Sequence, residues 1–304
     1  MDLGQAQMKR LVRRVTPTAV RNHLLRAPTW SIGLYEGYGP AAFRPHKTIG
    51  NPVLTRDDVS DVDAAFVADP FALRVDGTWH LFFEVLNRAS GRGEIGLAVS
   101  DDLEHWSYAK IVLAEPFHLS YPLTFTHDGA IYMVPEASAS GGVRLYRATR
   151  FPHEWDLESV IMTGNVLLDA TLFEHDGAWW MLVDTSRRHT HDTLRLYHAS
   201  SPAGHWSEHP ASPLVDGDPT AARPAGRVVS VGGRLVRYAQ DCAVRYGHRV
   251  QAFEILELTP RSYQERPIGR AVIAPGQDHW RRRAMHHVDA HEVDGRLLAF
   301  VDGH

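Results

Sequence analysis

Apolar residues along this chain come in short alternating runs, and successive runs are paired across two-residue turn signals. "DPFALRVDGTWHLFFEV" turns at Asp76-Gly77, "YPLTFTHDGAIYMVPE" at Asp128-Gly129 and "DATLFEHDGAWWMLVD" at Asp176-Gly177. "AGRVVSVGGRLVRYAQD" turns at Gly232-Gly233 and "HHVDAHEVDGRLLAFVD" at Asp294-Gly295. Asp-Gly or Gly-Gly between apolar runs specifies a tight hairpin, because both turn residues need positive φ. The turns recur roughly every 50–60 residues, close to the length of a four-stranded propeller blade with its connections.

The rest of each unit agrees with that reading. A third strand follows as "EIGLAVS", "VRLYRAT", "LRLYHAS" and "VQAFEILEL", and then a Trp on an outer strand: Trp106, Trp155 and Trp206. Those three are expected to pack blade against blade. The fifth unit stops at His304 after its second strand, so its outer strands must come from elsewhere, and Trp30–Gly37 is the segment available. The pattern predicts an all-β, five-bladed propeller in one domain over 28–304, preceded by a short basic, helical extension over 1–27. In that extension Lys9, Arg10, Arg13, Arg14, Arg21 and Arg26 alternate with Leu and Val. It reads first as a frayed end packed loosely on the domain, and second as an amphipathic helix against a membrane or an acidic partner.

Composition narrows the class of function. With 44% hydrophobic and 22% charged residues, the chain is ordinary for a globular protein. A net charge of −4 speaks against a nucleic-acid partner, which would favour basic stripes. The lone Cys242 rules out an internal disulfide, and no apolar run approaches the ~18 residues of a membrane span. Without a secretory leader, a cytoplasmic location is the simplest expectation. Among the 19 histidines, His189/His191 and His286/His287 lack a third ligand at metal spacing, so neither a metal site nor a cofactor is expected. The "RRHTHD" stretch reads as an exposed hairpin loop.

The propeller geometry itself selects a candidate pocket. The start of each innermost strand and the end of the next one lie on the same face, near the axis. Strand starts offer Asp69, Tyr121, Asp169, Arg223 with Arg227, and His287 with Asp289; strand ends offer Glu84, Glu136, Asp184, Gln240 with Asp241, and Asp302. Converging carboxylates cannot all ionise freely, so at least one pKa should rise, which is the separation that sugar acid–base chemistry uses. Acids at strand ends also cap turns, and for Glu84, Asp184 and Asp302 that structural role competes with a pocket role.

"GEIGLAVSDDLEHWSY", "EPFHLSYPLTF", "IYMVPEAS", "VRLYRATRFPHEW" and "RPAGRVV…RYAQDC…YG" resemble the N-terminal domain of plant glucosamine inositolphosphorylceramide transferases and its stand-alone bacterial relatives, from about Trp30 to about Gln264. That domain in turn resembles the propellers of family 43 and family 32 glycoside hydrolases. The resemblance implies a five-bladed fold and a carbohydrate or sugar-phosphate ligand. It maps the hydrolases' base onto Asp69 in "VADPF" and their acid-orienting Asp onto Asp169 in "LLDATLF". Their general-acid Glu has no counterpart, because "AARPAGRV" in the fourth blade holds Arg223 and Arg227 instead. Glu136 is the replacement candidate, and the arginines suit an anionic group on the ligand. Three readings stay open: an enzyme using Asp69, Glu136 and Asp169, a silent sugar-binding propeller serving a separate transferase, and an interaction module.

Overall fold

The alternating runs form five radial antiparallel sheets in the computed structural model, which describes residues 29–187 and 190–304. The first blade comprises β3 (Ala64–Val75), β4 (Thr78–Asn87), β5 (Arg92–Ser100) and β6 (Ser107–Leu113). The second comprises β7 (Ser120–His127), β8 (Ala130–Glu136), β9 (Gly142–Arg150) and β10 (Glu154–Thr163). In the third, β11 (Leu168–His175), β12 (Ala178–Asp184) and β13 (Thr193–Ala199) are edged by two short strands, β14 (Ser207–Glu208) and β15 (Val215–Asp216). The fourth runs from β16 (Val229–Val231) through β17 (Arg234–Asp241) and β18 (Arg249–Leu258) to β19 (Tyr263–Pro267).

The fifth blade closes the ring as the truncated last unit requires. β20 (Val288–Val293) and β21 (Arg296–Gly303) are completed by β1 (Ser31–Gly39) and β2 (Ala42–Pro45) from the other end of the chain. β1 pairs with β21 from Ser31↔Gly303 to Gly37↔Leu297. The five predicted turns all have positive φ at both central residues, for example 50° and 89° at Asp76 and Gly77. The expected extension over 1–27 lies outside the described residues.

The apolar core is divided among the gaps between blades. One cluster joins Phe82, Ile95 and Leu97 of the first blade to Met133, Tyr146 and Trp155 of the second, and equivalent clusters fill the other gaps. The outer Trp residues take the expected part in this. Trp155 meets Phe82 edge-on at 5.4 Å, and Trp106 meets Phe300 of the fifth blade at 5.7 Å. Trp206 is buried in the cluster between the second and third blades. Because each blade is held mainly by its neighbours, the inner strand ends form a stable rim around the axis.

Candidate functional site

The strand register brings the predicted acids together. Glu84, Glu136 and Asp184 each sit opposite the residue that precedes a strand-start candidate: Ala68↔Glu84, Ser120↔Glu136 and Leu168↔Asp184. Immediately afterwards all three inner strands bulge. Asp69, Tyr121 and Asp169 occupy these bulges with φ of 52°, 46° and 51°, a left-handed conformation that is costly for non-glycine residues. Such strain concentrates where a side chain must be aimed against the regular pleat, and here it marks the same position in three consecutive blades.

Each acid in the cluster has a distinct setting. Asp69 accepts a hydrogen bond from the Tyr121 amide at 3.2 Å, and its other oxygen lies 3.6 Å from His286 Nε2. Burial pushes its carboxyl up to about 7; His286 and Arg223 oppose that shift, while Asp302 and Asp169 add to it. Burial likewise raises Glu136 to about 7, against the hydrogen bond that its Oε1 accepts from the Ser138 amide at 2.8 Å. Glu84 is driven well above the usual carboxylate range by burial and then by the neighbouring Asp69 and Glu136. Its nearest basic group is His118, at 3.4 Å, whose own pKa is lowered by burial.

The deeper acids are charge-compensated. Asp169 receives two hydrogen bonds from Arg223, at 2.7 and 3.2 Å, and one from Gln240 at 3.1 Å. Burial disfavours the Arg223 charge, but the Asp169 carboxylate overrides this and holds its pKa high. Asp302 accepts from His286 Nδ1 and from the Asp69 amide, at 3.1 Å. Burial of Asp302 is outweighed by His286, so its pKa falls, and His286 is raised by Asp302 and Asp69 despite its own burial. The exposed fraction sorts the set: 6% for Asp69 and Glu84, 8% for Glu136 and 9% for Arg223, against none for Asp302. The first four keep a trace of solvent exposure, and we call their side of the cluster its mouth.

These contacts also show how the remaining candidates are engaged within the chain. Arg223 has Nε and Nη2 taken by Asp169, and Nη1 lies 3.1 Å from His191. Arg227 and Asp289 are placed further along the axis. Arg227 donates to Asp289 and to the carbonyls of Thr124 and Ala72, while Asp289 also accepts from the Ala72 amide, so this pair ties blades together. Asp241 points away from its neighbour Gln240, as strand alternation demands, and pairs with Arg249 at 2.7 Å.

Tyr121 is also a tie. Its hydroxyl shares a hydrogen bond with Thr171 at 2.8 Å and accepts one from the Gly226 amide at 2.7 Å. Gly226 has φ +131°, and a Cβ there would stand 1.9 Å from the Val288 carbonyl, so only glycine permits this approach. Thr171→Val keeps the shape and strips the hydroxyl; urea unfolding should show a loss of about 1–3 kcal/mol.

Three contributors do not emerge from the strand pattern. His191 is buried, with Nδ1 3.4 Å from Asp184, although its stretch of sequence reads as an exposed loop; its companion His189 lies outside the described residues. His286 links Asp69 to Asp302. Tyr246 roofs the cluster: its ring lies 5.4 Å from His286 and 5.5 Å from His191, with the Arg223 guanidinium 5.0 Å from its centroid. These residues come from loops, where no period marks them. His287, by contrast, follows from its place at a strand start. It is 1% exposed, its ring nitrogens have no hydrogen-bond partner, and burial lowers its pKa to about 4.

Asp69, His286 and Asp302 offer ligand atoms within 4.8 Å of one another. His286 Nδ1 is hydrogen-bonded to Asp302 at 2.8 Å, which leaves Nε2 turned towards Asp69 at 3.6 Å.

Comparison with known proteins places the geometry in a family. The Oryza sativa subsp. japonica glucosamine inositolphosphorylceramide transferase 1 is 36% identical over 90% of this chain and 40% of its own length. The Arabidopsis thaliana protein of that name is 33% identical over 90% and 39%. The chain thus spans about two-fifths of the curated relatives it matches. Among solved structures, a variant of the Bombyx mori family 32 β-fructofuranosidase in complex with sucrose aligns with a TM-score of 0.60 at 12% identity, over 84% of this chain and 62% of that one. That likeness is one of fold. The family described as "glucosamine inositolphosphorylceramide transferase 1, N-terminal" matches residues 26–304, and the chain belongs to it.

Proposed function

We propose that this propeller binds a carbohydrate at the mouth of the axial acid cluster and acts on a glycoside or an activated sugar, with Glu136 and Asp69 as proton-holding groups. The observation that carries this reading is the division of the carboxyls. Asp169 and Asp302 are matched by Arg223 and His286, whereas Asp69 and Glu136 face the mouth with pKa values raised to about 7. A carboxyl poised near neutrality can give a proton to a leaving oxygen, and its ionised partner can take one from an attacking hydroxyl. In this scheme Glu136 protonates the glycosidic oxygen as its bond to carbon breaks, and Asp69 receives the proton of the incoming water or acceptor hydroxyl. The Asp302–His286 pair and the Tyr121 amide hold Asp69 in place. The names of the relatives, and the sucrose bound by the Bombyx mori enzyme, support a sugar ligand.

A second reading is favoured by one contact. In family 43 hydrolases the residue matching Asp169 tunes a fourth-blade acid, but here the fourth blade supplies Arg223, which engages Asp169 on both oxygens. A propeller so altered would bind sugar without turning it over, in the service of a separate transferase.

The two readings part in one experiment. Sugar release, sugar transfer and binding are measured for wild type, Asp69→Asn and Glu136→Gln on furanosides, pyranosides and sugar phosphates. Turnover that falls about 10²–10⁴-fold in either variant, with binding retained, supports the catalytic reading. Binding without turnover in the wild type replaces it with the binding module, and neither signal on any member removes both.

A further inference from the structure

We infer that the mouth of the acid cluster docks against an anionic lipid surface, a property separate from any turnover there. The rim beside the mouth carries an exposed apolar tip: Val244 is 70% and Tyr246 45% exposed, on the loop that roofs the cluster. An isolated exposed apolar residue needs no explanation, but this pair flanks Arg245 and adjoins exposed Arg282 and Arg283. Backbone and ring contacts make the rim continuous. Arg245 Nη1 donates to the Arg283 carbonyl at 3.4 Å, and the Arg283 amide donates to His304, whose ring is 5.4 Å from Trp30. Trp30 stacks on His286 at 4.1 Å, directly over the cluster.

Charge points the same way. Arg245, Arg282 and Arg283 have no carboxylate partner among the described residues. The neighbouring acids are engaged elsewhere: Asp278 with Arg281, Asp241 with Arg249, and Asp192 with Thr190. A protein with a net charge of −4 thus sets three exposed arginines side by side on this rim. Basic side chains beside protruding apolar ones suit a membrane interface, where the apolar tips enter the headgroup region and the cations meet anionic lipid. A soluble polyanion would satisfy the arginines and leave Val244 unexplained. No helix among the described residues is long and apolar enough to cross a bilayer.

The test is flotation of the full chain with phosphatidylcholine vesicles and with vesicles that also contain phosphatidylserine. Wild type should float only with the anionic vesicles, and less as salt rises. Reversing the rim with Arg245→Glu, Arg282→Glu and Arg283→Glu together should weaken partitioning roughly a hundredfold. Val244→Ser should weaken it further without altering the salt response. Thermal unfolding of each variant guards against misfolding, since all four side chains are exposed. Equal flotation with both kinds of vesicle overturns the proposal, as does full binding by the folded triple variant. Binding that a soluble polyanion such as heparin abolishes, while Val244→Ser leaves it unchanged, also overturns it in favour of a polyanionic partner.

Discussion

Arg223→Met is expected to cost about 3–5 kcal/mol of stability, and Asp169→Asn added to it should recover much of the loss. Asp169 is 2% exposed and receives two of its three side-chain hydrogen bonds from Arg223. Removing the guanidinium strands a buried carboxylate with only Gln240 as donor, and that orphaned charge accounts for most of the loss. The cation–π contact with Tyr246, at 5.0 Å, is lost as well and adds a smaller amount. Urea unfolding of both single variants and the double variant gives the coupling energy directly. A cost below about 1 kcal/mol for Arg223→Met would mean that solvent reaches Asp169 and that the pair is not a buried one. The double variant also has a functional use, because it shows whether a folded propeller without this pair still holds a sugar.

Glu136→Gln should change stability in the opposite direction, and by an amount that depends on pH. The folded-state pKa of Glu136 is raised from 4.5 to about 7, chiefly by burial. Below the lower value both folded and unfolded chains hold the proton, so ionisation costs nothing there. Between the two values the unfolded chain releases its proton first, and wild-type stability declines as pH rises. Above about 7 the folded chain has ionised too and the decline ends. The full difference is about 3 kcal/mol. Glutamine cannot ionise, and its side-chain oxygen can still accept the Ser138 amide. The variant should therefore match wild type near pH 4 and exceed it increasingly towards pH 8. Paired thermal unfolding curves across that range check this, and a constant gap would show that Glu136 is not held neutral by burial. A variant more stable yet unable to pass a proton is the behaviour expected of a site that keeps strained, costly groups for chemistry.

The outcome for individual residues shows which parts of the site are legible in the strand pattern. Asp69, Glu84, Glu136 and Asp169 can be read from their places at strand starts and ends, because a propeller's topology puts those positions at one rim. What the pattern does not show is that Asp241, although adjacent to Gln240, is sent to the opposite face of its strand and pairs with Arg249. Nor does it show the contacts of Arg227, because the reach of a long side chain has no period: this one bonds to residues in the first, second and fifth blades. His191, His286 and Tyr246 escape it because they stand on irregular segments and meet only when distant parts of the chain are brought together, as in the contact between Tyr246 and His286.

Sequence alone determined the five-hairpin repeat, the blade-gap Trp residues and the need for the N-terminal segment to complete the last blade. These are local matters of turn chemistry, alternation and where the chain runs out of strands. Tertiary structure alone decided which carboxyls keep a cation and which do not. That choice depends on the bulges at Asp69, Tyr121 and Asp169, on Arg223 turning towards Asp169, and on His286 reaching between two acids. A pKa follows from burial and from charges a few ångströms away, and neither is written in the spacing of residues along one chain.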